Sequence, residues 1–270
     1  MASSLGLPAI FANMPPPVVF PPIIEHKSTV IIAHGLGDSG NGYGPMVQSW
    51  QNNGLFQDTK FILPSAPPIP VTSANGRPIP AWFDIRGERG PHVTFEALTA
   101  QPQDEEGLLH SRDYFLSLIQ AEINNSSSSS SPSPSAPAST PIPASQIIMG
   151  GFSQGGVMAL LTGVSAAEAA GVKLGGVFCL SGYLALADAV RKGDVGGGGG
   201  GGGRGKGEKG GGKEHDTEVL MVHGDRDPIM SLEWAEDGLG HSINKEVLAK
   251  VTAFINKIQG QGREGQHDEL

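Results

Sequence analysis

The chain of 270 residues contains a single cysteine, Cys179. One thiol cannot staple a secreted fold, so a reducing compartment is expected. Cys179 lies in the apolar run Gly176-Val-Phe-Cys-Leu180 and reads as a small buried hydrophobe. Charge is sparse as well, at 17 %, and basic residues are the scarcer sign, 18 against 27 acidic, for a net charge of −9. No run of Lys and Arg is long enough to track a phosphate backbone, which argues against a nucleic-acid partner. The stretch Arg204–Lys213 is diluted by Gly and Glu and reads as a solvated linker. No apolar segment reaches the ~18 residues of a membrane span. Met1 to Pro22 has no basic residue and is broken by Pro15, Pro16 and Pro17, so no signal peptide is read there. The chain ends His267-Asp-Glu-Leu270, an ER-retrieval address. With nothing seen to deliver it to the lumen, a cytoplasmic location, extending to the nucleus, is expected.

Hydrophobic residues make up only 38 % because 40 glycines and 21 prolines take their place. Much of that excess sits in two low-complexity tracts. Residues 124–144 are mostly Ser, Pro and Ala, and residues 195–212 include a long run of glycines. Both are expected to be disordered insertions in one domain with a core of about 28–258.

The remainder alternates strands and helices. Short apolar runs predict buried strands at Ser28–Ala33, Thr59–Leu63, Gln146–Met149, Leu174–Leu180 and Thr217–Val222. Helices are predicted around Tyr43–Asn52, from Asp104 to about Ile123, over Val157–Ala170 and over Asn244–Ile258. Ser65 to Gly90 reads as loop. The alternation implies an α/β fold: a mostly parallel sheet with helices on both faces.

The segment Gln146–Gly156 carries the chemistry. It is a strand, then Gly151-Phe-Ser-Gln-Gly155, then a helix: G-x-S-x-G in the context of a nucleophile elbow. Ser153 is therefore the candidate nucleophile. A serine hydroxyl needs a base to take its proton, and the base needs an acid to orient it. Carboxylates follow a buried strand in His223-Gly-Asp-Arg-Asp-Pro228, and His241 follows in Gly238-Leu-Gly-His-Ser242. The order serine, aspartate, histidine is that of α/β-hydrolases. Asp225 and Asp227 compete for the acid role. The oxyanion hole calls for two amides, Gln154 after the nucleophile and, from the turn His34-Gly-Leu-Gly37, Leu36. His34 and His223 each follow a strand, but no ligand spacing supports a metal site. His26, His110, His215 and His267 lie in polar surroundings and read as solvated.

Several segments together resemble the acyl-protein thioesterase family of small carboxylesterases and lysophospholipases. They are Val30-Ile-Ile-Ala-His-Gly-Leu-Gly-Asp38, Phe61-Ile-Leu-Pro-Ser-Ala-Pro67, Pro80-Ala-Trp-Phe-Asp-Ile85, Gly150-Gly-Phe-Ser-Gln-Gly-Gly156, Leu180-Ser-Gly-Tyr-Leu184, His223-Gly-Asp-Arg-Asp-Pro228 and Gly238-Leu-Gly-His-Ser242. The resemblance implies an α/β-hydrolase with Ser153, Asp227 and His241 as triad and no cofactor or metal. It also implies removal of palmitoyl from cysteine thioesters on membrane-attached proteins, G-protein α subunits among them, and weaker action on lysophospholipids and simple esters. Trp82 matches a family tryptophan near the site, and reads equally as a substrate contact and as a core aromatic.

One departure stands out. His241 follows Asp227 by only fourteen residues, roughly half the family's spacing. Leu232–Ala235 looks like a remnant strand, and four residues, Pro228 to Ser231, are too few for a parallel crossover. The chain is thus expected to be one helix short near its C-terminus, with apolar surface uncovered and His241 at risk of displacement.

Overall fold

A computed structural model describes residues 14–87, 97, 100–124, 141–194, 217–224 and 241–264. Most of both low-complexity tracts, the carboxylates Asp225 and Asp227, the shortened passage and the terminal His-Asp-Glu-Leu lie outside these residues.

Among the described residues six strands form one sheet: β1 (Val18–Phe20), β2 (Ser28–Ala33), β3 (Thr59–Leu63), β6 (Ile147–Phe152), β7 (Gly176–Leu180) and β8 (Glu218–Val222), in the order β1-β3-β2-β6-β7-β8. Every pairing is parallel except β1 against β3. The helices are α1 (Gly40–Asn52), α2 (Glu105–Asn124), α3 (Gln154–Ala170), α4 (Ala187–Lys192) and α5 (Lys245–Glu264).

Alternation along the strands divides the core in two. On β2, Ile31 and Ala33 face Phe115 and Ile119 of α2 and Val157 and Leu161 of α3. Val30 and Ile32 face Val47 and Trp50 of α1 and Val251 and Ile255 of α5. Both faces are covered, as the unbroken burial of Ser28–Ala33 requires.

Ser65–Gly90 is not all loop. It contains a hairpin of β4 (Pro68–Val71) and β5 (Arg77–Pro80). Its prolines stand opposite one another, Pro68 with Pro80 and Pro70 with Pro78, around the pair Ile69 and Ile79. Alternate pairs in an antiparallel ladder exchange no hydrogen bonds, so prolines placed there forfeit none. The N-terminal β1 was also not anticipated; it is a three-residue strand between prolines, paired with β3 at the margin of the sheet.

β8 is corrected too. It was expected to be buried, but Val219 and Met221 are 55 % and 39 % exposed. Among the described residues β8 is the last strand of the sheet, and these two side chains continue the row of Val177 and Cys179 on β7.

The N-terminal ends of the strands are closed by polar contacts. Gln259 Nε2 donates to Ser28 Oγ at 2.9 Å and to Thr59 Oγ1 at 2.6 Å. Glu122 accepts from Thr29 Oγ1 at 2.8 Å and Lys60 Nζ at 2.6 Å. His26, read as solvated, joins this group through Thr29 Oγ1 at 3.0 Å. Its burial lowers the imidazole pKa, against the opposing pull of Glu122. The opposite end, where parallel strands release their loops, is left for chemistry.

Candidate active site

Ser153 sits between β6 and α3 with φ 53° and ψ −118°. Few non-glycine residues adopt this backbone, and it aims the side chain out of a tight turn. The turn is tight because two glycines allow it. A Cβ on Gly155 would lie 2.1 Å from Ala33 O, and one on Gly151 would lie 2.3 Å from Gly155 C and O. Both obstacles are backbone, which cannot rotate away. The spacing G-x-S-x-G thus records how closely β2, β6 and α3 converge. The Ser153 amide is tied to Leu180 O at 2.7 Å, fixing the elbow to β7.

His241 Nε2 lies 2.9 Å from Ser153 Oγ. Its ring also meets Phe152, with centroids 4.8 Å apart. The displacement expected from the shortened passage is therefore not found. The reason lies on the other side of His241. Asn244 caps α5, its Oδ1 accepting from Val247 N–H at 2.8 Å. Ile243 packs with Leu248 in the core on that face, the arrangement of a hydrophobic staple. The start of α5, capped by Asn244, thus follows His241 closely and anchors its backbone.

Leu36 lies in the turn after β2. Gly37 N–H donates to Pro80 O at 2.8 Å and Asp38 N–H to Gly35 O at 3.3 Å. The Leu36 amide has no acceptor among the described residues, nor has the first-turn amide of Gln154. The turn adjoins the serine: a Cβ on Gly35 would lie 3.4 Å from Ser153 Cβ.

The side chain of Gln154 was not singled out from sequence. It accepts from Trp82 N–H at 2.8 Å and donates to Phe83 O at 2.7 Å. No local pattern signals this, since the partners are over seventy residues apart. Trp82 itself is fully buried. Its Nε1 donates to His34 O at 2.8 Å, and its ring packs on His34 and Phe115. The buried indole thus supports the turn beside the serine.

His34 belongs to the same support. Its Nδ1 donates to Gly35 O at 2.7 Å and its Nε2 accepts from Ala66 N–H at 2.9 Å. That pattern requires the neutral ring, and burial lowers its pKa accordingly. Cys179 is buried, which pushes its thiol up to about 12. Among the described residues no cluster of His, Cys, Asp and Glu could hold a metal ion. No helix among them is long and apolar enough to cross a membrane.

A family model described as Phospholipase/Carboxylesterase matches residues 14–196. The chain is 38 % identical over 269 residues to acyl-protein thioesterase 1 of Aspergillus fumigatus, covering 93 % of this chain and 95 % of the relative. It is 36 % identical over 264 residues to acyl-protein thioesterase 1 of Neurospora crassa, covering 90 % and 91 %. Among solved structures, acyl-protein thioesterase 2 of Zea mays matches with a TM-score of 0.62 at 20 % identity, over 90 % of this chain and 98 % of that one. Likeness at that identity speaks for the fold, which is that of an α/β-hydrolase.

Proposed function

Because this chain belongs to the acyl-protein thioesterase family, within the phospholipase/carboxylesterase group, we propose that it removes palmitoyl groups from cysteine thioesters on membrane-attached proteins, G-protein α subunits among them. The observation that carries this reading is the 2.9 Å contact between Ser153 Oγ and His241 Nε2 on a strained elbow.

Ser153 Oγ attacks the thioester carbonyl as His241 Nε2 takes the hydroxyl proton. Charge on the carbonyl oxygen is met by the N–H groups of Leu36 and Gln154, at the positive end of the α3 dipole. The C–S bond breaks, and the imidazolium returns the proton to the departing thiolate. Water, deprotonated by the same imidazole, then releases the acyl group from Ser153 as a fatty acid. Asp227 holds the imidazole in the required tautomer. No cofactor or metal takes part. We place the work in the cytoplasm, extending to the nucleus, and assign it to one domain of about 28–258. The same machinery would serve a small-molecule carboxylesterase or lysophospholipase, since acyl and leaving-group preference lie in the shape of the surroundings.

The test has two arms. A fluorophosphonate probe should label the chain and not its Ser153→Ala variant; absence of labelling on folded protein would mark an inactive descendant. Turnover of an S-palmitoylated peptide is then compared with that of a lysophospholipid and a short nitrophenyl ester. A higher kcat/KM for the peptide is expected, and a clear preference for either small ester would sink the protein-substrate reading.

A further inference from the structure

Phe152 is the last residue of β6, directly before Ser153. Its ring centroid lies 4.8 Å from that of His241, with the planes inclined at 45°. The same ring borders the turn after β2: a Cβ on Gly35 would stand 3.3 Å from Phe152 Cδ1. It is partly buried against the core that Leu180, Val222 and Ile243 share. One side chain thus touches the imidazole and the turn that carries Leu36, and is bonded through its backbone to the serine.

We propose that Phe152 is a positioning residue, whose ring keeps the His241 imidazole and the Gly35 turn in register around Ser153 and favours the imidazolium formed during attack. The proposal rests on the reading of Ser153 and His241 as nucleophile and base.

Three physical arguments support it. The start of α5 anchors the backbone of His241, but three intervening residues leave the imidazole rotation to be set by its neighbours. A flat ring against the imidazole removes part of that freedom, and misplacement of a reacting group by about 1 Å can cost 10²-fold in rate. The second argument is electrostatic. A ring attracts a cation lying within about 6 Å of its centroid, and the imidazole becomes a cation only once it holds the serine proton. That attraction is absent in the resting enzyme and present in the transition state, so it acts on kcat more than on KM. The third is steric: Gly35 leaves room for the ring and no more, so the ring also buttresses the turn that is to bind the oxyanion.

The test compares two substitutions in the full chain. Phe152→Tyr keeps the ring, and Phe152→Leu fills much of the space without one. Phe152→Leu is expected to lower kcat about tenfold with KM within about threefold. Phe152→Tyr is expected to stay within about twofold of the parent in both. The His241 ring-proton resonances, identified by their loss in His241→Gln, should move in the leucine variant as the ring current disappears.

Parental kcat in Phe152→Leu overturns the proposal. So does a loss that appears equally in Phe152→Tyr, or one that follows a fall in unfolding midpoint, since either would mean a packing role alone. Failure of the functional reading looks different: the parent chain itself would then go unlabelled by the fluorophosphonate. The resonance shift reports the ring contact in either case, and its absence removes the geometric basis of the proposal.

Discussion

The side-chain amide of Gln154 clasps the backbone of Trp82 and Phe83, accepting from one at 2.8 Å and donating to the other at 2.7 Å. The indole of Trp82 in turn donates to His34 O. A continuous path therefore runs from the elbow, through the Trp82 loop, to the turn that carries Leu36. The two amides proposed for the oxyanion are linked by buried hydrogen bonds, although one follows β6 and the other β2.

Gln154→Ala should break this path. It leaves the Trp82 N–H and the Phe83 carbonyl buried without their partner, each at a cost of about 1–3 kcal/mol. The expected result is a loss of about 2 kcal/mol or more in unfolding free energy, with kcat falling further than the stability loss alone explains. Urea titration and ester hydrolysis measure both. A variant with parental stability would show that water replaces the amide without penalty.

Ser153→Ala should fold as the parent does and lose about 10³-fold or more in ester and thioester hydrolysis. Circular dichroism checks the first expectation and turnover the second. Activity within tenfold of the parent would require another nucleophile.

Gly155→Ala should inactivate without removing any polar group. Its methyl would lie 2.1 Å from Ala33 O, so α3 must move off β2 or the strand must shift. A loss of about 10²-fold in fluorophosphonate labelling rate is expected in protein that remains helical. Labelling at the parental rate would mean that the elbow tolerates a wider turn than its geometry indicates.

Stability should fall with acid. Burial holds the His34 and His26 imidazoles below their ordinary pKa, so the folded chain keeps both neutral while the unfolded chain binds protons near pH 6.5. Where the unfolded state binds more protons, stability rises with pH. The contribution is thus complete above about pH 6.5 and is lost as the pH falls through the lowered folded values. Urea midpoints at pH 7.5, 6.5 and 5.5 should decline, and His34→Gln should flatten part of that decline. An identical slope in the variant would place the acid sensitivity elsewhere.

Periodicity made the sheet and the long helices legible, because strands buried on both faces leave unbroken apolar runs and α5 carries a single apolar stripe. The elbow at Ser153 could be read because G-x-S-x-G is local in sequence. The hairpin escaped because a proline-rich ladder becomes visible only with its register, which the partner strand supplies. The exposure of Val219 and Met221 escaped because Val219–Val222 is an unbroken apolar run, and composition does not say which of its side chains find neighbours. The role of the Gln154 side chain and the burial of Trp82 depend on contacts far apart in the chain. The closeness of His241 to Ser153 joins residues 88 apart in the chain, which the spacing from Asp227 could not convey.

The backbone at Ser153 has a consequence for what the fold would prefer there. A φ of 53° with a ψ of −118° suits glycine and strains any other residue. Replacing the serine with glycine should therefore raise the melting temperature while abolishing hydrolysis, and replacing it with alanine should abolish hydrolysis without that gain. Thermal robustness and reactivity are set against each other at one residue. For stability alone position 153 would be better left without a side chain, and the hydroxyl stands there against the fold's own preference.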